Sequence, residues 1–238
     1  MTADPAPPEV LRRAAGVAGG EVVLRVRGDV HELVVDGVFA MDTVDTSTER
    51  LLASAALARL DGTGLHVVVG GLGLGFTLRA LLGEARVARV DVVELEPALV
   101  EWLRDGVVPG AERALADPRV RVHAGDVREV VPTLPPGAVD AVLLDVDNGL
   151  SFLVHGANAS VYEERFLRTC LDRLRPGGVL AVWSSDAEPA LHTRLAALAG
   201  GCEEQELTVE REGRTFAYAL YVARAAAATS APSARRAP

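Results

Sequence analysis

Apolar residues in this chain fall into short, nearly unbroken runs separated by stretches of helical spacing. LHVVV (residues 65–69) runs into a glycine cluster, Gly70, Gly71, Gly73 and Gly75, which opens into the helical pattern FTLRALL (residues 76–82). Continuous apolar runs bounded by turn residues predict strands covered on both faces, as in a parallel sheet packed between helices. Strands are expected at Leu65–Val69, Ala88–Glu94, Val120–Ala124, Ala138–Val146 and Gly178–Ser184. Helices are expected at Phe76–Leu82, Ala98–Asp105, Val127–Leu134 and Val161–Leu174, with a chain break at Pro176-Gly177-Gly178 before the fifth strand. A helix at Glu188–Ala199 ends the alternation. Glu204–Glu212 and Thr215–Val222 then flank Gly213-Arg214 and predict an antiparallel hairpin. Upstream, EVVLRVRGDVHELVVDG (residues 21–37) predicts a hairpin around Gly28-Asp29. A helix at about Thr46–Leu60 follows, opened by a Thr46/Glu49 capping box and closed by Asp61-Gly62.

Five parallel strands followed by an antiparallel pair define the fold class. It is α/β, a doubly wound seven-stranded sheet of the S-adenosylmethionine (SAM) methyltransferase type, Rossmann-like, with an antiparallel last hairpin and a small N-terminal β appendage. A dinucleotide-binding domain needs G-x-G-x-x-G and would end in a parallel strand; here position 76 is Phe and the cluster reads G-G-x-G-x-G. The expected organisation is a flexible N-terminus at 1–20 with one helical turn near Glu9–Ala15, a hairpin and helix at 21–60, a nucleoside-binding catalytic domain at 61–224 and a disordered tail at 225–238.

Of the 238 residues 49% are hydrophobic but only 4% aromatic, so Val, Leu and Ala must fill the core. Arg and Lys number 24 against 33 Asp and Glu, a net charge of −9, which repels phosphate backbones and argues against nucleic acid as a partner. The same charge favours a cationic small-molecule acceptor. Cys170 and Cys202 are too few for a disulfide framework and lack metal spacing. No apolar run is long enough to span a membrane, and MTADPAPPEV has neither the basic start nor the apolar core of a signal peptide; a cytoplasmic protein is expected.

Successive strands deliver polar features to one sheet edge, where ligands of open α/β sheets bind. The first is the glycine loop. The second is Glu94, about 20 residues past Gly75, where an acidic side chain grips a ribose diol; its alternative is a solvated helix cap. Leu95 follows it beside the nucleoside, and Glu96 is expected to be exposed. The third is Asp126, placed with Val127 for an adenine amino group and also suited to cap the following helix. The fourth is Asp145, emerging from AVLL where a reacting sulfonium would lie, able to orient or deprotonate an amine. Asp147 shares either that chemistry or, with Asn148-Gly149, a turn. Asn148, His155 and Tyr162, in the connection after Asp145, are candidates for substrate contact. The other histidines, His31, His66, His123 and His192, read as strand or helix surface positions, and no arrangement suggests a hydrolase.

GGLGLGFTLRALL, VVELEP, GDVREVV, VLLDVDNG and FLRTCLDRLRPGGVLAV, in this order, resemble the spermidine synthase family of aminopropyltransferases; the resemblance covers about residues 21–224. It implies a ligand of the SAM, decarboxylated SAM or methylthioadenosine kind, without a metal, with methylthioadenosine or S-adenosylhomocysteine as product. It also implies Glu94 at the ribose, Asp126 at the adenine, Asp145 as the catalytic acidic residue and a homodimer. The chain departs from the family at three places. Gly73 stands where the family's G-G-G-D-G loop has Asp. Asp145-Val146-Asp147-Asn148-Gly149 replaces D-S-S-D-P. The Y-H-E segment is reduced to Glu49, which remains a candidate for the acceptor side. The transferred group is thus aminopropyl, by resemblance, or methyl, by the missing diamine-site residues. A non-catalytic nucleoside-binding protein is the alternative of another class.

Overall fold

The computed structural model describes residues 7–146, 156–211 and 214–226. The chain begins with an antiparallel sheet, β1 (Glu9–Ala15), β2 (Glu21–Arg27), β3 (Val30–Val35) and β4 (Val38–Asp42), in sequential order. The segment expected to be mobile with a helical turn at Glu9–Ala15 is therefore a strand. Pairing with β2 overrides its local preference, at the expense of a register shift between Val10 and Arg12. β3 and β4 are joined through Asp36 and Gly37, both left-handed, a two-residue hairpin turn.

Helix α1 (Ser47–Leu57) crosses to the main sheet. The strand–helix alternation then runs β5 (Leu65–Gly70), α2 (Phe76–Leu82), β6 (Val87–Glu94), α3 (Pro97–Arg104), α4 (Ala111–Leu115), β7 (Val120–Ala124), α5 (Val127–Val130) and β8 (Val139–Leu144). It continues with α6 (Glu164–Arg173), β9 (Leu174–Ser184), α7 (Pro189–Ala199), β10 (Cys202–Arg211) and β11 (Arg214–Arg224). The expected helix at 127–134 is split, α5 giving way to a 3-10 turn at Val131–Thr133 where Pro132 cannot donate. Pro176-Gly177-Gly178 does not precede β9 but lies inside it, absorbed by a register shift against β8.

The seven strands lie in the order β10-β11-β9-β8-β5-β6-β7, with β5 to β9 parallel and β11 antiparallel to both its neighbours. The chain departs from β5 first to one side and then, at β8, to the other. The carboxyl ends of β5 and β8 therefore flank the topological switch point. One face of the sheet packs against β2, β3 and α1 to α4 around Leu24, Leu52, Leu78 and Leu103; the other packs against α5 to α7 around Leu167, Leu191 and Leu195. No helix among the described residues is long and apolar enough to cross a membrane.

Two of the histidines expected on the surface, His66 and the partly exposed His123, belong to a polar cluster on that second face. His66 Nε2 and His123 Nε2 lie 2.5 and 2.8 Å from the two carboxylate oxygens of the buried Asp91, with Arg89 at 2.7 Å.

Candidate active site

At the switch point the carboxyl ends of β5, β6, β7 and β8 face the N-terminal sheet across a cavity of about 710 Å³, within the range of small-ligand sites. The backbone ladder carries the strands up to its edge: Asp145 N–H donates to Gly70 O, Gly71 N–H to Val93 O and Gly125 N–H to Glu94 O, each at 2.8 Å.

The glycine loop divides into two kinds of position. Gly71 and Gly73 line the cavity; Gly70 and Gly75 stand behind it. Gly71 has φ +92°, and a Cβ there would come within 2.0 Å of Asp145 O, so the loop and the chain leaving β8 touch backbone to backbone. At Gly73 a Cβ would meet Met41 Sδ at 2.6 Å, and the same sulfur accepts the Leu74 N–H at 3.2 Å. Strand β4 thus props the loop with a thioether. Gly70 makes room for Val127 and Leu144, and Gly75 is the left-handed residue that opens α2.

Glu94 closes β6 with its carboxylate turned back on the loop. Oε2 accepts the Leu72 N–H and Oε1 the Glu96 N–H, both at 2.8 Å, and burial raises its pKa. Its remaining lone pairs and Leu95 form part of the cavity wall. Glu96, expected exposed, is buried: both its oxygens accept the Val17 N–H, at 3.1 Å, and pin the β1–β2 turn to the site.

Asp126 caps α5, accepting the Arg128 N–H at 2.7 Å. The Arg128 guanidinium lies across both its oxygens and lowers its pKa. The same guanidinium donates to Ser160 Oγ at 2.5 Å. Asp126 and Val127 both line the cavity, so capping and ligand contact are compatible.

Asp145, half-buried just past the end of β8, lines the cavity. Thr77 Oγ1, from the first turn of α2, donates to its Oδ2 at 2.7 Å. Burial, reinforced by the nearby charge of Glu49, pushes its pKa up to about 7. Glu49 is itself buried and accepts from Thr48 Oγ1 at 2.7 Å. The expected capping box is not formed. Thr46 Oγ1 instead accepts from the Arg50 guanidinium, which frees Glu49 to face the cavity rather than reach back to the helix start.

Tyr162 is a correction. It is completely buried, and its hydroxyl donates to Val146 O at 2.6 Å, so it braces the strand end beside Asp145 and does not reach the ligand space. Asp147, Asn148 and His155 lie outside the described residues. Sequence reasoning missed Met41, Thr77 and an aromatic wall of Phe39, Trp183, Phe216 and Tyr218. Thr77 alone carried a local signal, following the glycine loop directly.

A doubly wound sheet with a glycine loop and carboxylates gathered at its switch point defines a class, the open α/β folds that bind ligands outside the carboxyl ends of their strands. The Spermine/spermidine synthase domain model matches residues 36–198. The chain belongs to the spermine/spermidine synthase family. It is 34% identical over 151 residues to polyamine aminopropyltransferase 2 of Pseudomonas aeruginosa, covering 63% of this chain and 42% of that protein. It is 27% identical over 173 residues to spermidine synthase 2 of Datura stramonium, covering 72% and 52%. The chain thus spans about half the length of the curated relatives it matches. A crystal structure of spermidine synthase in complex with the transition state analogue AdoDATO superposes with a TM-score of 0.77 at 16% identity, covering 91% of this chain and 73% of that one. The Thermotoga maritima spermidine synthase gives 0.74 at 16% identity, covering 91% and 72%. At that identity the structural likeness shows the fold, including the antiparallel last hairpin and the N-terminal sheet.

Proposed function

We propose that this protein transfers the aminopropyl group of decarboxylated SAM to an amine, releasing methylthioadenosine. One observation carries the reading. Six carboxylates line the cavity, Glu49, Glu94, Glu96, Asp126, Asp145 and Asp186, and no Lys, Arg or His is among its described lining residues. Such a wall favours a sulfonium and an ammonium, and it offers no cationic side chain to the α-carboxylate of SAM itself. This favours aminopropyl over methyl transfer, in line with the names of the relatives.

The geometry supports the following roles. Glu94 receives the ribose hydroxyls, Leu95 and Val127 sandwich the base, and Asp126, held by Arg128, accepts from the adenine amino group. Gly71 and Gly73 let the sulfonium end approach the backbone. Asp145, oriented by Thr77, takes a proton from the acceptor ammonium, and the neutral nitrogen attacks the carbon next to sulfur. The C–S bond breaks with its electron pair moving to sulfur, and the positive charge passes to nitrogen. The sulfonium is already a good leaving group, so positioning and proton removal are what the protein must supply.

The test is methylthioadenosine release from decarboxylated SAM and an amine, followed by chromatography. Asp145→Asn is expected to lower kcat by about 100-fold or more, the usual scale of a lost general base. Calorimetry should show its affinity for methylthioadenosine within about threefold of the parent, because Asp145 does not hold the nucleoside. Methyl transfer from SAM with no turnover of the decarboxylated form would overturn the reading.

A further inference from the structure

Four of the ten aromatic residues in the chain, Phe39, Trp183, Phe216 and Tyr218, line this one cavity. They arrive from three strands. Phe39 comes from β4, Trp183 from the end of β9 and the other two from β11, where the Leu220–Trp183 pairing sets Trp183 against Tyr218 with ring centroids 5.4 Å apart. Phe39 and Phe216 are each 40% exposed and Val38 44%, three of the six large hydrophobic residues left exposed among the described ones. Exposed aromatic rings gathered at the mouth of a cavity, in a chain so poor in aromatics, mark a binding surface rather than leftover core.

The charges are distributed differently. The two carboxylates with acceptor-side positions in the cavity, Asp145 and Glu49, lie close enough for the Glu49 charge to act on Asp145. Of the other described lining carboxylates, Glu94, Glu96 and Asp126 already hold backbone N–H groups or Arg128, and Asp186 is exposed to solvent. A short diamine lying along this space would have one ammonium well matched at Asp145 and Glu49. Among the described residues its other ammonium would meet apolar and aromatic wall or a carboxylate already in water, and burying an unpaired ammonium is costly.

On the reading that the site transfers an aminopropyl group to an amine, we infer that its acceptor is a primary amine carried on a hydrophobic, aryl-bearing body: the amine at Asp145 and Glu49, the ring against Trp183, Tyr218, Phe216 and Phe39. The rings supply offset stacking for an aromatic group and a favourable face for the ammonium as it passes inward. The bonds made and broken are those given above: the amine nitrogen gains the propyl carbon, sulfur keeps the electron pair, and the surplus proton leaves through Asp145.

The experiment compares phenethylamine, butylamine and putrescine as acceptors of the full chain with decarboxylated SAM, reading methylthioadenosine release and the mass of the aminopropylated amine. Phenethylamine is expected to exceed both others in kcat/KM by at least about 10-fold, the scale of an aryl group gaining or losing its pocket. Phe216→Ala and Phe39→Ala, both at exposed positions, should each cut that advantage several-fold through KM while leaving methylthioadenosine affinity unchanged. Putrescine preferred, or phenethylamine no better than butylamine, overturns the inference and leaves aminopropyl transfer intact. No turnover of any amine, with methylthioadenosine still bound, overturns both.

Discussion

Asp145 works between two neighbours of opposite effect. Thr77 stabilises its carboxylate with a hydrogen bond, while burial and the Glu49 charge favour the protonated form and prevail, bringing the pKa to about 7. In the proposed reaction it must be ionised to take the proton, so kcat/KM for an amine should rise with pH through about 7. Glu49→Gln removes one cause of the shift and should move this limb to lower pH, read from a pH–rate profile. The stability effect has the opposite sense. A carboxyl whose folded pKa lies above its ordinary value of 3.8 contributes stability below that value and loses it as pH rises through about 7. Asp145→Asn should therefore be more stable than the parent at pH 8, by on the order of 1 kcal/mol or more, and the gain should vanish near pH 4, by urea unfolding. The gathering of Glu94, Asp126 and Asp145 at one cavity was legible in the sequence because each follows or ends an apolar run, and parallel strands bring such ends together. Tyr162 was not, since nothing local tells a buried hydroxyl bound to a carbonyl from one facing a ligand.

At the level of elements, the sheet holds a polar cluster well away from the site. Asp91 is buried on β6 between His66 of β5 and His123 of β7, with Arg89 beside it; burial works against its charge, but these hydrogen bonds prevail and hold its pKa far below the ordinary carboxylate value. A carboxylate with a depressed folded pKa contributes stability above its ordinary range and loses it as pH falls. Asp91→Asn should cost about 1–3 kcal/mol at pH 7, and the difference from the parent should shrink below pH 4, measured by denaturant unfolding. The parallel strands were readable because they are continuous apolar runs. β1 was not, because its extended form comes from pairing with β2 and not from its own pattern. β4 could have been found: Asp36-Gly37 between β-rich runs is a strong hairpin signal, although VFAMD is short and its apolar residues do not alternate with polar ones. The aromatic wall was invisible for a related reason, since it depends on the register of β9 against β11 and on where β4 packs.

In the whole molecule, the two sheets are joined beside the cavity by Glu96. Its carboxylate is buried, and its partner is the backbone of the turn between β1 and β2. Glu96→Ala should loosen the N-terminal sheet without unfolding the main one, seen as faster proteolysis within residues 16–20 and weaker methylthioadenosine binding. At the neighbouring contact, Met41 of β4 fills the space over Gly73. Residues 41 and 73 are therefore coupled. A side chain introduced at 73 would have to push the Met41 thioether off the Leu74 N–H, at a position whose φ of +50° already disfavours side chains. A lineage moving between a bare loop and an acidic one would thus change the packing of the N-terminal sheet with it, and the two sheets would drift together rather than apart.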